Sequence, residues 1–257
     1  MAQGTADSSV KVAIGYCHPE TVSAFWHQSL LGVLRHSSDV IDNIIAIYSS
    51  PKIDSARNSI FRAWLESTEA THLFMCDTDM ILPPDIIERL LSHNKRIVSG
   101  LAFCGSRHQG IILPAVMTTE GDPPSLVPMW EYPLNSVIPV TAVGGACLLV
   151  KRDVAEHIRD VMGEGHPLPW FAYGMHNGVE IGEDVGFCLR AAKCGYNTWV
   201  DTGLIVPHVK TDFLEESAYV LSLSKANHPH YNEREKVPIY QELVDGHTSL
   251  DSDKSGS

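Results

Sequence analysis

The chain has 257 residues, is 44% hydrophobic and 19% charged, and carries a formal net charge of −12; this balance suits a globular α/β protein and disfavours nonspecific attachment to a polyanion. No stretch approaches the roughly 18–20 continuous apolar residues of a membrane span, and residues 1–9 lack the basic and apolar segments of a secretory leader, so a cytoplasmic protein without a membrane span is expected. The six cysteines include no C-x-x-C pair and lie mostly inside apolar runs, which reads as reduced, buried thiols rather than a disulfide framework or a zinc site.

Residues 1–10 are small and polar and read as a flexible N-terminus. The apolar run at 12–16 (VAIGY) is the first predicted buried strand. Residues 21–35 carry Val22, Phe25, Trp26, Leu30, Leu31 and Leu34 on one broad helical stripe. A second strand is predicted at 44–48, then a helix over 55–67 with Asp54 as its N-cap. The third strand, 71–76, runs into Asp77-Thr78-Asp79, and a helix over 84–94 and a fourth strand over 97–103 follow. This alternation predicts an α/β fold with an open, mostly parallel central sheet and helices on both faces; ligands bind such sheets beyond the carboxyl ends of the strands.

Residues 105–139 are rich in Pro and Gly with short β-like runs, predicting a smaller antiparallel or irregular region. A strand over 140–150, interrupted by Gly144-Gly145, leads into a short helix over 152–162. Residues 163–182 read as a loop carrying Trp170 and Phe171, followed by a helix over 183–194 and a last strand over 198–206. One domain over 11–242 is expected, with a disordered polar tail at 243–257.

The chemistry concentrates at strand ends. In Asp77-Thr78-Asp79 the two carboxylates sit two residues apart, so on a strand they share a face and can hold one hard divalent cation. The alternative is a plain turn, since Asp is common where strands end. Glu183 and Asp184 open a helix, where the dipole favours acids; one of them at a site rim would instead serve as a general base. His208 follows the last strand and is either a hydrogen-bonded surface residue or a metal ligand. Asp54, Arg57 and Asn58 mark either an ordinary helix start or a contact to a base or phosphate.

Taken in order, these pieces resemble the GT-A glycosyltransferases of the family 2 type, above all the small single-domain members common in bacteriophages. The resemblance rests on the opening strand, the D-x-A-R-N helix start at 54–58, the D-x-D strand end, Val143-Gly144-Gly145-Ala146, Pro169-Trp170-Phe171, Gly182-Glu183-Asp184 and His208, and it spans roughly residues 11–210. It implies a GT-A (Rossmann-like) catalytic domain whose 11–104 half binds the nucleotide sugar and whose 105–242 half binds the acceptor. Asp79 and Asp77, with His208, would hold Mn²⁺ or Mg²⁺ against the diphosphate, although Asp77 would equally suit the donor ribose or sugar. Tyr16, His18, Asp54, Arg57, Asn58, Thr78, Gly144 and Gly145 would line the donor site. Trp170 and Phe171 would wall the acceptor. Asp184 would deprotonate the acceptor hydroxyl with inversion, Glu183 assisting.

The implied donor is a nucleoside-diphosphate sugar, with UDP the commonest carrier. The implied acceptor is a glycan, a small molecule, a protein side chain, or a hydroxymethylated base in phage DNA, which would have to be flipped out of a duplex. A phage-encoded member would work in the host cytoplasm. Two departures stand out: Gly186 loosens the helix start after the acid pair, and residues 104–136, with Arg107 and His108, match no motif. A nucleotidyltransferase is the rival enzyme class, but it favours a Gly-rich basic loop where this chain has Tyr16-Cys17-His18-Pro19-Glu20. A non-catalytic nucleotide-sugar-binding protein is the other alternative.

Overall fold

The computed structural model describes residues 10–49, 52–106, 111–122, 124–163 and 165–210. The expected N-terminal and C-terminal tails, Arg107 and His108 lie outside these residues. The described residues belong to one compact unit that ends at Lys210.

Its first half alternates β1 (Val12–His18), α1 (Ala24–His36), β2 (Ile41–Tyr48), α2 (Ile53–Ser67), β3 (His72–Cys76), α3 (Ile86–Ser92) and β4 (Ile97–Leu101). The second half runs through β5 (Phe103–Ser106), β6 (Ile111–Pro114), β7 (Val116–Glu120), β8 (Ser125–Pro128), β9 (Val137–Val140), β10 (Ala142–Val143) and β11 (Cys147–Lys151). It continues with α4 (Arg152–Met162), β12 (Gly174–His176), β13 (Val179–Ile181), α5 (Glu183–Lys193) and β14 (Thr198–Ile205).

The main sheet has 7 strands in the order β2-β1-β3-β11-β4-β14-β9. Strands β1, β2, β3, β4 and β14 run one way, and β11 and β9 run against them. Alternation along each strand sends side chains to two cores. Leu73 and Met75 of β3 join Leu148 and Val150 of β11 beneath α2, α4 and α5. Phe74 and Cys76 join Cys147 and Leu149 beneath α1 and α3. Both faces are therefore covered, and the strands read as continuous apolar runs because neither side meets water.

Four local expectations need correction. The expected parallel run of strands is broken between β3 and β4, where β11 from the far half of the chain inserts antiparallel to both. Gly144-Gly145 does not merely interrupt a strand but separates β10 from β11. Helix α2 begins at Ile53, so Asp54 lies in its first turn and is not the cap. The 163–182 loop contains the β12–β13 hairpin, turned by Asn177 at φ 48° and Gly178 at φ 81°; that Asn-Gly pair is the sequence signature of a two-residue turn needing two positive φ values.

Strand β14 carries a bulge. Asp201 pairs with Gly100 and Ile205 with Leu101, leaving residues 202–204 out of register. The Asp201 carboxylate, 3% exposed as a residue, fixes the bulge by accepting from the Gly203 and Leu204 amides and from Arg89 Nε. Beyond it the chain returns to the sheet's carboxyl edge, where His208 bridges to Met80.

Candidate active site

At the carboxyl edge of β3, Arg57 is the hub. Its Nη2 donates to Asp77 Oδ1 at 2.8 Å and its Nη1 to Glu183 Oε1. The residue is 5% exposed. Burial works against its charge, but Asp77 and Glu183 outweigh that, so its proton is held more tightly than in water. The guanidinium lies directly over Gly145: a Cβ there would sit 2.3 Å from Nη1. Only glycine admits this approach, which is a physical reason for the second glycine of the pair. One arginine thus joins α2, the end of β3, the turn before β11 and the start of α5.

Asp184 is half-buried beside this hub. Its Oδ2 accepts from the Gly145 amide at 3.0 Å and its Oδ1 from the Val185 amide at 2.8 Å. Glu183, its neighbour, is 7% exposed and is engaged by Arg57. Of the two acids, Asp184 is the less buried.

Asp79 and His208 form a second centre. His208 Nδ1 faces the Phe103 carbonyl at 3.0 Å and Nε2 faces Asp79 Oδ2 at 2.7 Å; both partners are acceptors, so each ring nitrogen donates when the imidazole is protonated, and Nδ1 keeps the proton in the neutral ring whenever Nε2 is given over to a cation. The Asp79 hydrogen bond raises the His208 pKa. For Asp79, partial burial alone would raise the pKa, but His208 and then Lys210, 3.4 Å from Oδ2, bring it down. The two segments are also joined by main chain, Val209 N donating to Asp79 O at 2.7 Å and Ile81 N to Pro207 O at 2.8 Å.

Among the described residues no three His, Cys, Asp or Glu side chains converge on a point that could hold a metal. The expected trio is divided: Asp79 meets His208, while Asp77 turns to Arg57. The Asp79–His208 pair nonetheless suits a hard divalent cation. It offers one carboxylate oxygen and one imidazole nitrogen whose tautomer a carbonyl fixes. Their 2.7 Å separation is near the roughly 3 Å between adjacent ligands of an octahedral ion with bonds of about 2.1 Å.

The remaining expected donor residues distribute as follows. Tyr16 packs edge-on against Trp26, and His18 lies edge-on to Tyr48 with ring centroids 6.0 Å apart. Tyr48, 59% exposed, extends this aromatic group and was not singled out from the sequence. Asp54 and Thr78 are half-buried, with Asp54 Oδ1 accepting from the Ser55 amide. Gly144 lies against Ala115 and near Asp184.

Asn58 is not free to contact a nucleotide. It is 1% exposed, donates to the Asp54 and Phe171 carbonyls and accepts from the Trp170 and Phe171 amides. Nor do Trp170 and Phe171 wall an acceptor: at 2% and 0% exposure they have no face to offer. Phe171 stacks on Phe187, and Trp170 Nε1 donates to the Ala155 carbonyl. Gly186 does not loosen the helix. It admits the Ala172 carbonyl, which would lie 2.3 Å from a Cβ at that position. The exposed aromatic of this segment is Tyr173, at 54%. Its signal is its place in the chain, just beyond two buried rings and just before the Asn177-Gly178 hairpin.

No protein-family profile matches the sequence, and no curated protein matches it. Solved structures do match. The A197 protein from STIV superimposes with a TM-score of 0.52 at 15% identity, over 79% of this chain and 87% of that one. GalNAc-T7, in a crystal structure with UDP, GalNAc and Mn²⁺, superimposes with a TM-score of 0.51 at 9% identity. That match covers 93% of this chain and 55% of the other, so this chain spans about half the length of the GalNAc-T7 chain. With the sheet order and its flanking helices, these likenesses define a GT-A-like α/β fold. No described helix is long and apolar enough to cross a membrane.

Proposed function

We propose that this chain is a metal-dependent glycosyltransferase that moves a sugar from a UDP-type nucleoside-diphosphate sugar to an acceptor hydroxyl, with inversion. The observation that carries the reading is the meeting of Asp79 and His208, 129 residues apart, at the same sheet edge as Asp184 and the Arg57 hub. The GalNAc-T7 likeness, a fold seen there with UDP and Mn²⁺, supports it.

Asp79 and His208 would hold Mn²⁺ or Mg²⁺. A cation there would offset charge developing on the departing nucleoside diphosphate. Tyr16, His18 and Tyr48 flank the nucleoside. Asp77, braced by Arg57, orients the donor ribose or sugar. Asp184 takes the acceptor proton: the acceptor oxygen bonds to the anomeric carbon as the bond from that carbon to phosphate breaks, and the proton passes to the carboxylate. The two amide donors on Asp184 fix the direction in which its free lone pairs face.

The test is a panel of nucleotide sugars, scored for Mn²⁺-dependent hydrolysis and for stabilisation against heat. At least one donor should be hydrolysed and should stabilise the protein. Asp184→Asn should lose transfer while keeping donor affinity by calorimetry. Turnover unchanged in that variant, or no donor bound in the presence of metal, would remove the assignment.

A further inference from the structure

Tyr173 leaves the core at a strictly determined point. Asn58 grips the main chain of Trp170 and Phe171 from one side. Gly186 seats the Ala172 carbonyl from the other. The next residue therefore emerges beside the first turn of α5, which carries Glu183 and Asp184. More than half of the ring stays open to solvent.

The hairpin that follows continues this surface. Tyr173 directly precedes β12, so alternation puts it on the side of Met175, which is 67% exposed. Met175 is paired across the hairpin with Glu180, which is itself exposed. Asn177 Nδ2 ties the turn to the Pro124 carbonyl at 2.8 Å, so the hairpin is anchored at its tip as well as at its base. The result is an aromatic ring and a thioether, open to water, on a segment that packs against the first turn of α5, where Asp184 lies. Carboxylates lie on the elements around them: Glu180 on the hairpin, and Glu183 and Asp184 at the start of α5.

That combination selects a ligand class. A polyanion would meet carboxylates on several sides. A neutral sugar offers a C–H face that lies on an aromatic ring and hydroxyls that donate to carboxylates. We propose that Tyr173 and Met175 form the acceptor platform and that the acceptor is a neutral glycan, with a pyranose ring seated on Tyr173 and one hydroxyl presented to Asp184. The proposal rests on the glycosyltransferase reading above, since Asp184 serves there as the base.

Saturation-transfer NMR on the full chain separates the two readings. Methyl glycosides of glucose, galactose and N-acetylglucosamine are the probes, and UDP with Mg²⁺ is examined separately on the wild-type protein. At least one glycoside should receive saturation at its ring C–H protons. Tyr173→Ala should weaken that binding roughly tenfold, whereas Tyr173→Phe, which keeps the ring, should retain it. An unchanged thermal midpoint in Tyr173→Ala establishes that the fold survives. No glycoside signal, a signal untouched by Tyr173→Ala, or saturation confined to a hydroxymethylcytosine oligonucleotide would each overturn the platform. Absence of a UDP signal in the wild type would instead strike the donor site, and with it the reading on which the platform depends.

Discussion

Replacing Arg57 with methionine tests how the site is held. The side chain of Arg57 is 6% exposed and that of its partner Glu183 9%, so the variant leaves a buried carboxylate without its cation. Breaking a buried pair on one side costs about 3–5 kcal/mol. The Asp77 link adds little, because that side chain is 34% exposed and partly solvated pairs contribute about 0–1 kcal/mol. A net loss of about 4 kcal/mol is a large share of the roughly 5–15 kcal/mol that holds most domains together. At a urea slope near 2.5 kcal/mol/M it lowers the unfolding midpoint by roughly 1.5 M. Urea denaturation of the wild type, Arg57→Met, Glu183→Gln and the double variant measures it. The double variant leaves no unpaired charge at the buried Glu183 position, only the partly exposed Asp77, so it should be more stable than the sum of the singles by about 1–3 kcal/mol. A single-variant loss below about 1 kcal/mol, or strict additivity across the cycle, would refute a buried electrostatic hub.

Three further outcomes follow from the same geometry. The pKa of His208 is raised above 6.5, so the stability it draws from Asp79 is complete below that value and fades as pH rises past the elevated pKa; that of Asp79, lowered below 3.8, gives stability lost only as pH falls through the depressed value. Without metal, the stability gap between wild type and Asp79→Asn should therefore be widest near about pH 5.5 and shrink by about pH 9, whereas Mn²⁺ affinity by calorimetry should rise over the same range as the proton is displaced. Gly186→Ala pushes a Cβ to 2.3 Å from a backbone carbonyl that cannot rotate away, and a loss of about 1–3 kcal/mol in denaturant titration is expected; a neutral result would mean that the Ala172 segment yields. Asn58→Leu strands the Trp170 amide and the Phe171 carbonyl in the core and should cost about 2–4 kcal/mol, with nucleotide affinity in the surviving fold unchanged. A specific fall in nucleotide affinity at unaltered stability would return Asn58 to the donor site.

Element identity was largely legible in the chain because both faces of the sheet are buried. Helix α4 begins at Arg152 and ends at Met162, matching its predicted span, since an apolar stripe between Lys151 and Gly163 leaves little choice. Neighbour relations were not legible: nothing within residues 147–151 reports that they separate β3 from β4, because an apolar strand fits any interior slot. The site divides along a similar line. The convergence of Asp79 with His208 followed from their shared position at strand ends. The direction of Asp77 did not, because a D-x-D spacing cannot reveal an arginine waiting beneath it. Trp170 and Phe171 misled for a physical reason. A Pro-rich stretch without periodicity looks exposed, and it is partners distant in sequence, the Asn58 clamp more than a hundred positions away among them, that draw it inward.

The insertion of β11 between β3 and β4 has a consequence for how the protein comes into being. As the chain leaves the ribosome, residues 12–101 supply four of the seven sheet strands, yet β3 and β4 have nothing to join them until β11, which ends at residue 151, has been made. The contacts that build the site come later still, joining residue 57 to 183 and 79 to 208 across separations of 126 and 129. Such long-range closures are slow to form. A nascent chain that has not reached residue 183 lacks one arm of both pairs, and one that has not reached residue 208 still lacks the partner of Asp79, so this edge cannot be assembled before residue 208 is made.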